Sequence, residues 1–90
     1  MHIQVYPNPY IRGRSTGGIK FSGLSGTRES ILRIYTLSGK LVKEYEISPG
    51  GEISWDCRND ERGQVSPGLY IYVVTDEGGD NKKTGKIVIK

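Results

Sequence analysis

Short runs of β-branched and aromatic residues follow one another along the whole sequence, each closed within a few positions by Gly, Pro, Ser, Asn or Asp. The runs are Ile3 to Tyr6, Gly18 to Phe21, Ile31 to Thr36, Leu41 to Ile47, Glu52 to Trp55, Leu69 to Thr75 and Lys86 to Ile89. The residues between them supply a positive φ, a fixed φ or a local side-chain hydrogen bond, which are the three things a turn needs. Thirteen of the ninety residues are glycine and none is alanine, so nothing in the chain reads as a helix.

Several runs carry finer information. In Ile31 to Thr36, Leu32 and Ile34 share one side while Arg33 and Tyr35 share the other, so one face of this strand is buried. Leu37-Ser38-Gly39-Lys40 then reads as a hairpin turn, with Gly39 in the left-handed conformation and the flanking strands paired antiparallel. Leu69 to Val74 is apolar or aromatic at every position and reads as a central strand, its Tyr70 and Tyr72 packing under Trp55 with their hydroxyls on backbone or water. Asp76 to Asn81 is a polar loop with a mobile tip, joining the last two strands, and Tyr10 to Gly17 is too polar for a strand. Seven short strands with turn signals every roughly 8 to 12 residues predict an all-β fold, an immunoglobulin-like antiparallel β-sandwich without the inter-sheet disulfide.

Ninety residues suffice for one domain, spanning 1–90, that buries only roughly 60 to 65% of its unfolded surface. Apolar residues at 34% and charged residues at 26% fit a soluble globular domain. The net charge of +3 is mild, and the basic residues are spread except for Lys82, Lys83, Lys86 and Lys90. Nucleic-acid binding requires a denser basic stripe with stacking aromatics, so no nucleic-acid partner is expected. No apolar run approaches the roughly 20 residues of a membrane span. The start, Met-His-Ile-Gln-Val, lacks the regions of a signal peptide, so if the parent protein is exported its signal lies upstream. Cys57 is the single cysteine, which excludes an internal disulfide and leaves His2 without a second thiol for zinc.

Candidate chemistry is sparse. Residues 55 to 63 place Asp56, Asn59, Asp60 and Glu61 around a loop ending in Gly63, which raises a calcium site. Their spacing does not match the alternating ligands of an EF-hand, and the plainer account has Asp56, Asn59 and Asp60 accepting backbone hydrogen bonds in consecutive turns. For catalysis, His2 sits at a fraying end, Cys57 has no base beside it, and Asp60 and Glu61 are loop neighbours with no implied pocket. No enzyme activity and no cofactor are expected. Cys57 is a tolerated small residue, or a reactive thiol only if exposed beside Arg58. Tyr6-Pro7-Asn8-Pro9 fixes φ twice and removes two backbone donors. It serves either as a rigid entry to the domain or as a pre-ordered recognition element. The closing Lys86-Ile87-Val88-Ile89-Lys90 is either an edge strand guarded by lysines or a signal read by a receptor.

Taken in order, Tyr6 to Pro9, Ile34-Tyr35 with Ser38-Gly39 and Val42, Trp55-Asp56 with Asn59-Asp60 and Gly63, Gly68-Leu69-Tyr70 with Tyr72, and Lys86 to Lys90 form a pattern. It resembles the type A C-terminal sorting domains of type IX secretion cargo. The part from Trp55 to Tyr70 is also similar to the immunoglobulin-like domain of flagellar hook-capping proteins. The sorting family implies a C-terminal module of a larger exported protein, recognised by the outer-membrane secretion machinery and removed by a sortase that fixes the upstream cargo domain to the cell surface. It carries a recognition role onto Pro7, Asn8, Pro9, Gly39 and Lys86 to Lys90. Trp55, Asp56, Asn59, Asp60, Gly63, Gly68, Tyr70 and Tyr72 fall in its structural motifs. Cys57 stands where that family commonly has Gly, so its turn must accommodate a side chain. The hook-capping resemblance implies instead a lasting assembly or adhesion module. A carbohydrate-binding reading needs an aromatic platform, for which Tyr10, Tyr35 and Tyr45 are the spare candidates.

Overall fold

The computed structural model describes residues 3–11, 14, 17–23, 30–47, 52–59, 63–76 and 82–90. The apolar runs become seven strands: β1 (Gln4–Tyr6), β2 (Ile19–Ser22), β3 (Ser30–Thr36), β4 (Leu41–Ile47), β5 (Ile53–Trp55), β6 (Gly68–Asp76) and β7 (Lys82–Ile89). They assemble into two sheets, ordered β1-β2-β5 and β4-β3-β6-β7. Every ladder is antiparallel. β6 lies between β3 and β7, the interior position its unbroken apolar run requires.

The inner faces of the two sheets meet in one core. Ile19, Phe21 and Trp55 from the smaller sheet oppose Leu32, Ile34, Val74, Ile87 and Ile89 from the larger, each no more than 1% exposed. Cys57 and Val65, from the segment after β5, join the same core. Full burial of side chains of this size stabilises by about 1.5–3 kcal/mol each, so these few residues hold a large share of what a domain this small can have.

Turn chemistry sets the strand ends. Between β3 and β4 the Gly39 amide donates to the Thr36 carbonyl (2.9 Å) and the Thr36 amide to the Lys40 carbonyl (2.8 Å), with Gly39 at φ 95°. That is a three-residue loop, a type I turn completed by a left-handed glycine. β2 starts at Ile19, one residue later than the periodicity predicts, because Gly18 holds φ 79° with its backbone against the Trp55 carbonyl, where a Cβ would overlap. Beyond the turn a bulge shifts the β3–β4 register, leaving Leu41 outward and Val42 in the core.

Two expectations need correction. β7 begins at Lys82 and not at Lys86, because β6 supplies ladder partners as far as Thr75, opposite Lys82. Backbone pairing carries the strand through residues whose side chains gain nothing from burial. Tyr70 and Tyr72 do not share Trp55. Tyr70 meets it edge-on at 6.0 Å, whereas Tyr72 meets Phe21 at 5.5 Å. Residues two apart on a strand stand roughly 7 Å apart, too far to reach the same ring equally. The loop expected at Asp76 to Asn81 lies, after Asp76, outside the described residues, as do Arg12, Gly13, Ser15 and Thr16 of the Tyr10 to Gly17 stretch.

Candidate functional site

The two motifs that stand at opposite ends of the sequence meet in space. β7 is an edge strand, and its C-terminal half is covered by residues 8 to 10. Asn8 Nδ2 donates to the Lys86 carbonyl (2.9 Å), and the Val88 amide donates to Asn8 Oδ1 (3.0 Å). One side-chain amide therefore does the work of a peptide group, which it can because it has a donor and an acceptor at the spacing of a strand. The main chain then takes over: the Tyr10 amide donates to the Val88 carbonyl and the Lys90 amide to the Tyr10 carbonyl, both 2.8 Å, with Tyr10 bridging Ile89 in the parallel sense.

The flanking prolines fit this arrangement. Neither has an N–H to satisfy, so Asn8 stands alone between two residues that make no donor demand. The bonds preceding Pro7 and Pro9 are both cis. Pro7 is half-buried, while Asn8 and Pro9 are exposed. In the closing motif the roles divide by alternation. Ile87 and Ile89 enter the core, Val88 is half-buried on the outer face, and the side chains of Lys86 and Lys90 reach solvent. Gly39 does not join this cluster: its hairpin belongs to β3 and β4, and β6 separates it from β7.

The segment after β5 is a framework. Trp55 Nε1 donates to the Arg58 carbonyl (2.8 Å), and the Arg58 amide donates to Asp56 Oδ1 (3.1 Å). Asn59 binds Gly63 twice, its amide donating to the Gly63 carbonyl and its Oδ1 accepting from the Gly63 amide, both at 2.9 Å. The Val65 amide donates to the Cys57 carbonyl (3.0 Å), which fastens the returning chain. Asp56 and Asn59 thus accept backbone hydrogen bonds, while Asp60 and Glu61 lie outside the described residues. Among the described residues, no three His, Cys, Asp or Glu side chains come together. Cys57 takes φ 61° and is 5% exposed, so the turn holds its side chain in a left-handed conformation with the thiol inside.

Tyr70, at the start of β6, donates its hydroxyl to the Ser66 carbonyl four residues upstream. Tyr72 lies over Gly85, its cross-strand partner, where a Cβ would meet the ring. Burial pushes the Tyr72 phenol above its ordinary pKa. An open groove of about 470 Å³ runs past Thr36, Lys40, Val42, Gln64, Ser66 and Tyr70. Tyr35 and Tyr45 point to opposite faces of the sheet, and Tyr10 sits at the β7 edge, so the three rings form no common platform. The contact between Asn8 and β7 was not readable along the chain. The one signal for it is an amide side chain set between two residues without N–H groups.

A β4-β3-β6-β7 sheet over β1-β2-β5, with a tyrosine corner from Tyr70 to Ser66, defines an immunoglobulin-like β-sandwich domain. The secretion system C-terminal sorting domain family matches residues 4–90, and the chain belongs to it. Among solved structures it is similar to PorZ, described as an essential bacterial surface component of the type-IX secretion system of Porphyromonas gingivalis. The TM-score is 0.80 at 25% identity over 98% of this chain and 11% of that one. It also shares its fold with dimeric latent PorU from Porphyromonas gingivalis, with a TM-score of 0.71 at 17% identity, over 97% of this chain and 9% of that one. The chain thus spans only about a tenth of either protein. No curated protein matches it.

Proposed function

We propose that this domain is the address by which a cargo protein is delivered through the outer membrane to the cell surface by the type IX machinery. On this reading it performs no reaction of its own, and a sortase of the host acts on it to release and anchor the upstream cargo domain. The observation that carries the reading is the junction of Asn8–Tyr10 with Lys86–Lys90, which turns two sequence motifs into one composite surface. With the backbone edge of β7 occupied there, a receptor would read side chains: the exposed ammonium groups of Lys86 and Lys90 beside the exposed Asn8 and Pro9. Pro7, Asn8 and Pro9 supply shape, the lysines supply charge, and Ile87 and Ile89 hold the strand in place. Gly39 contributes through the β3–β4 turn.

The test is a reporter carrying a signal peptide, fused ahead of residues 1–90 and expressed in a type IX host. Deleting Lys86 to Lys90 would remove two core residues, so it confounds address with fold. The K86E/K90E double variant changes only exposed groups and should keep the parent's circular dichroism while leaving the reporter in the periplasm. Surface delivery of that folded variant at the parent's level would overturn the reading, as would periplasmic retention of the unaltered fusion.

A further inference from the structure

The outer face of the four-stranded sheet has a polarity that the sorting role, which draws on Lys86 alone among the residues of its rows, does not explain. The ladder registers arrange its outward residues in rows that cross all four strands. One row runs Glu46, Ile31, Thr75, Lys82; the next Glu44, Arg33, Val73, Thr84; the third Leu41, Tyr35, Ile71, Lys86. Leu69 and Val88 extend the face beyond them. The middle of each row, on β3 and β6, is half-exposed and mostly apolar, and Leu41 remains 42% exposed. The other sheet covers the opposite face, and no further strand exists among the described residues to cover this one.

The two borders of the face carry opposite charge. β4 brings Glu44 and Glu46, and β7 brings Lys82 and Lys86. Glu44 is engaged within the chain by Arg33 at 3.3 Å. Glu46 and Lys82 end the same row but lie three strand spacings apart, roughly 14 Å, and cannot pair with each other in one molecule.

We propose that this face packs against the same face of a second copy of the chain, about a two-fold axis parallel to the strands. Rotation about that axis sets β4 over the second copy's β7 and β3 over its β6. Glu46 then comes over Lys82 of the second copy, and the reciprocal pair forms at the other border, as an isologous contact demands. The apolar middles of the rows meet between them. A two-fold axis across the strands would instead stack β4 on β4 and, through the middle row, Glu44 on Glu44, acid against acid, so charge selects the first geometry. Four strands roughly 4.8 Å apart, each giving about five residues at roughly 3.3 Å, make a face of about 300 Å² per copy. Stable complexes bury roughly 800 Å² per partner, so the association is weak and becomes visible only at high concentration.

Sedimentation equilibrium of the 90-residue chain, from about 10 µM to about 1 mM, tests this independently of any secretion assay. The weight-average mass should rise toward that of a dimer, and less so at high salt. Glu46→Lys and Lys82→Glu, both exposed and both checked for native circular dichroism, should each weaken association about tenfold or more, a loss of about 1.4 kcal/mol. The E46K/K82E double variant should recover it, because the swap restores the cross-copy pairing. A monomer throughout that range, single variants that associate like the parent, or a double variant no better than the singles would each overturn the proposal.

Discussion

Cys57 is the residue where local conformation and packing pull in different directions. Its left-handed backbone costs an L-residue about 1–2 kcal/mol, while its buried side chain returns part of that through contacts with the core. Cys57→Gly should therefore change stability by less than about 1 kcal/mol, since strain and packing are lost together. Cys57→Val places a β-branched residue in the same region and should destabilise by about 2 kcal/mol or more. Urea unfolding of the two variants separates them, and a Val variant as stable as the parent would show that the turn relaxes. At this scale the sequence was informative where the requirement is local. Gly39 in its turn, and Asp56 and Asn59 as acceptors of backbone amides, could be read because each interaction closes within a few residues. The partner of Asn8 lies 78 residues away, and nothing local announces it.

Among the elements, β7 shows most clearly what periodicity captures and what it omits. The β-branched run marked Lys86 to Ile89 as a strand, but the strand's true start at Lys82 depends on how far β6 extends beside it. Its edge is finished by a side chain from the opposite end of the chain. Removing that side chain should have a local signature. Asn8→Ala leaves the Val88 amide and the Lys86 carbonyl on an exposed edge where water can bind them, so global stability should fall by only about 1 kcal/mol. Hydrogen exchange at the Val88 amide should nevertheless accelerate by about tenfold or more, while that of the inward-bonded amides of β6 stays near the parent rate. Unchanged exchange at Val88 would mean that the Asn8 amide does not protect the edge.

For the whole molecule, the two sheets adhere through a thin layer of side chains, with Trp55 the largest of those fully buried. It contacts Tyr70 across the core and holds the Arg58 carbonyl, joining both sheets to the loop. Trp55→Ala should cost about 3–5 kcal/mol. Against a total of roughly 5–13 kcal/mol for a chain this size, that is a large fraction. Thermal unfolding followed by circular dichroism should show a fall in Tm of roughly 12 °C or more. The sandwich as a class was legible because strand count and turn spacing are properties of the whole sequence, whereas which strand neighbours which depends on contacts between residues far apart in it. The parallel run of residues 8 to 10 along β7 also has a mechanical meaning. A pull that draws the residues before Asn8 away from Lys90 acts along β7, so all four hydrogen bonds between the two segments are loaded in shear and must yield together instead of unzipping singly.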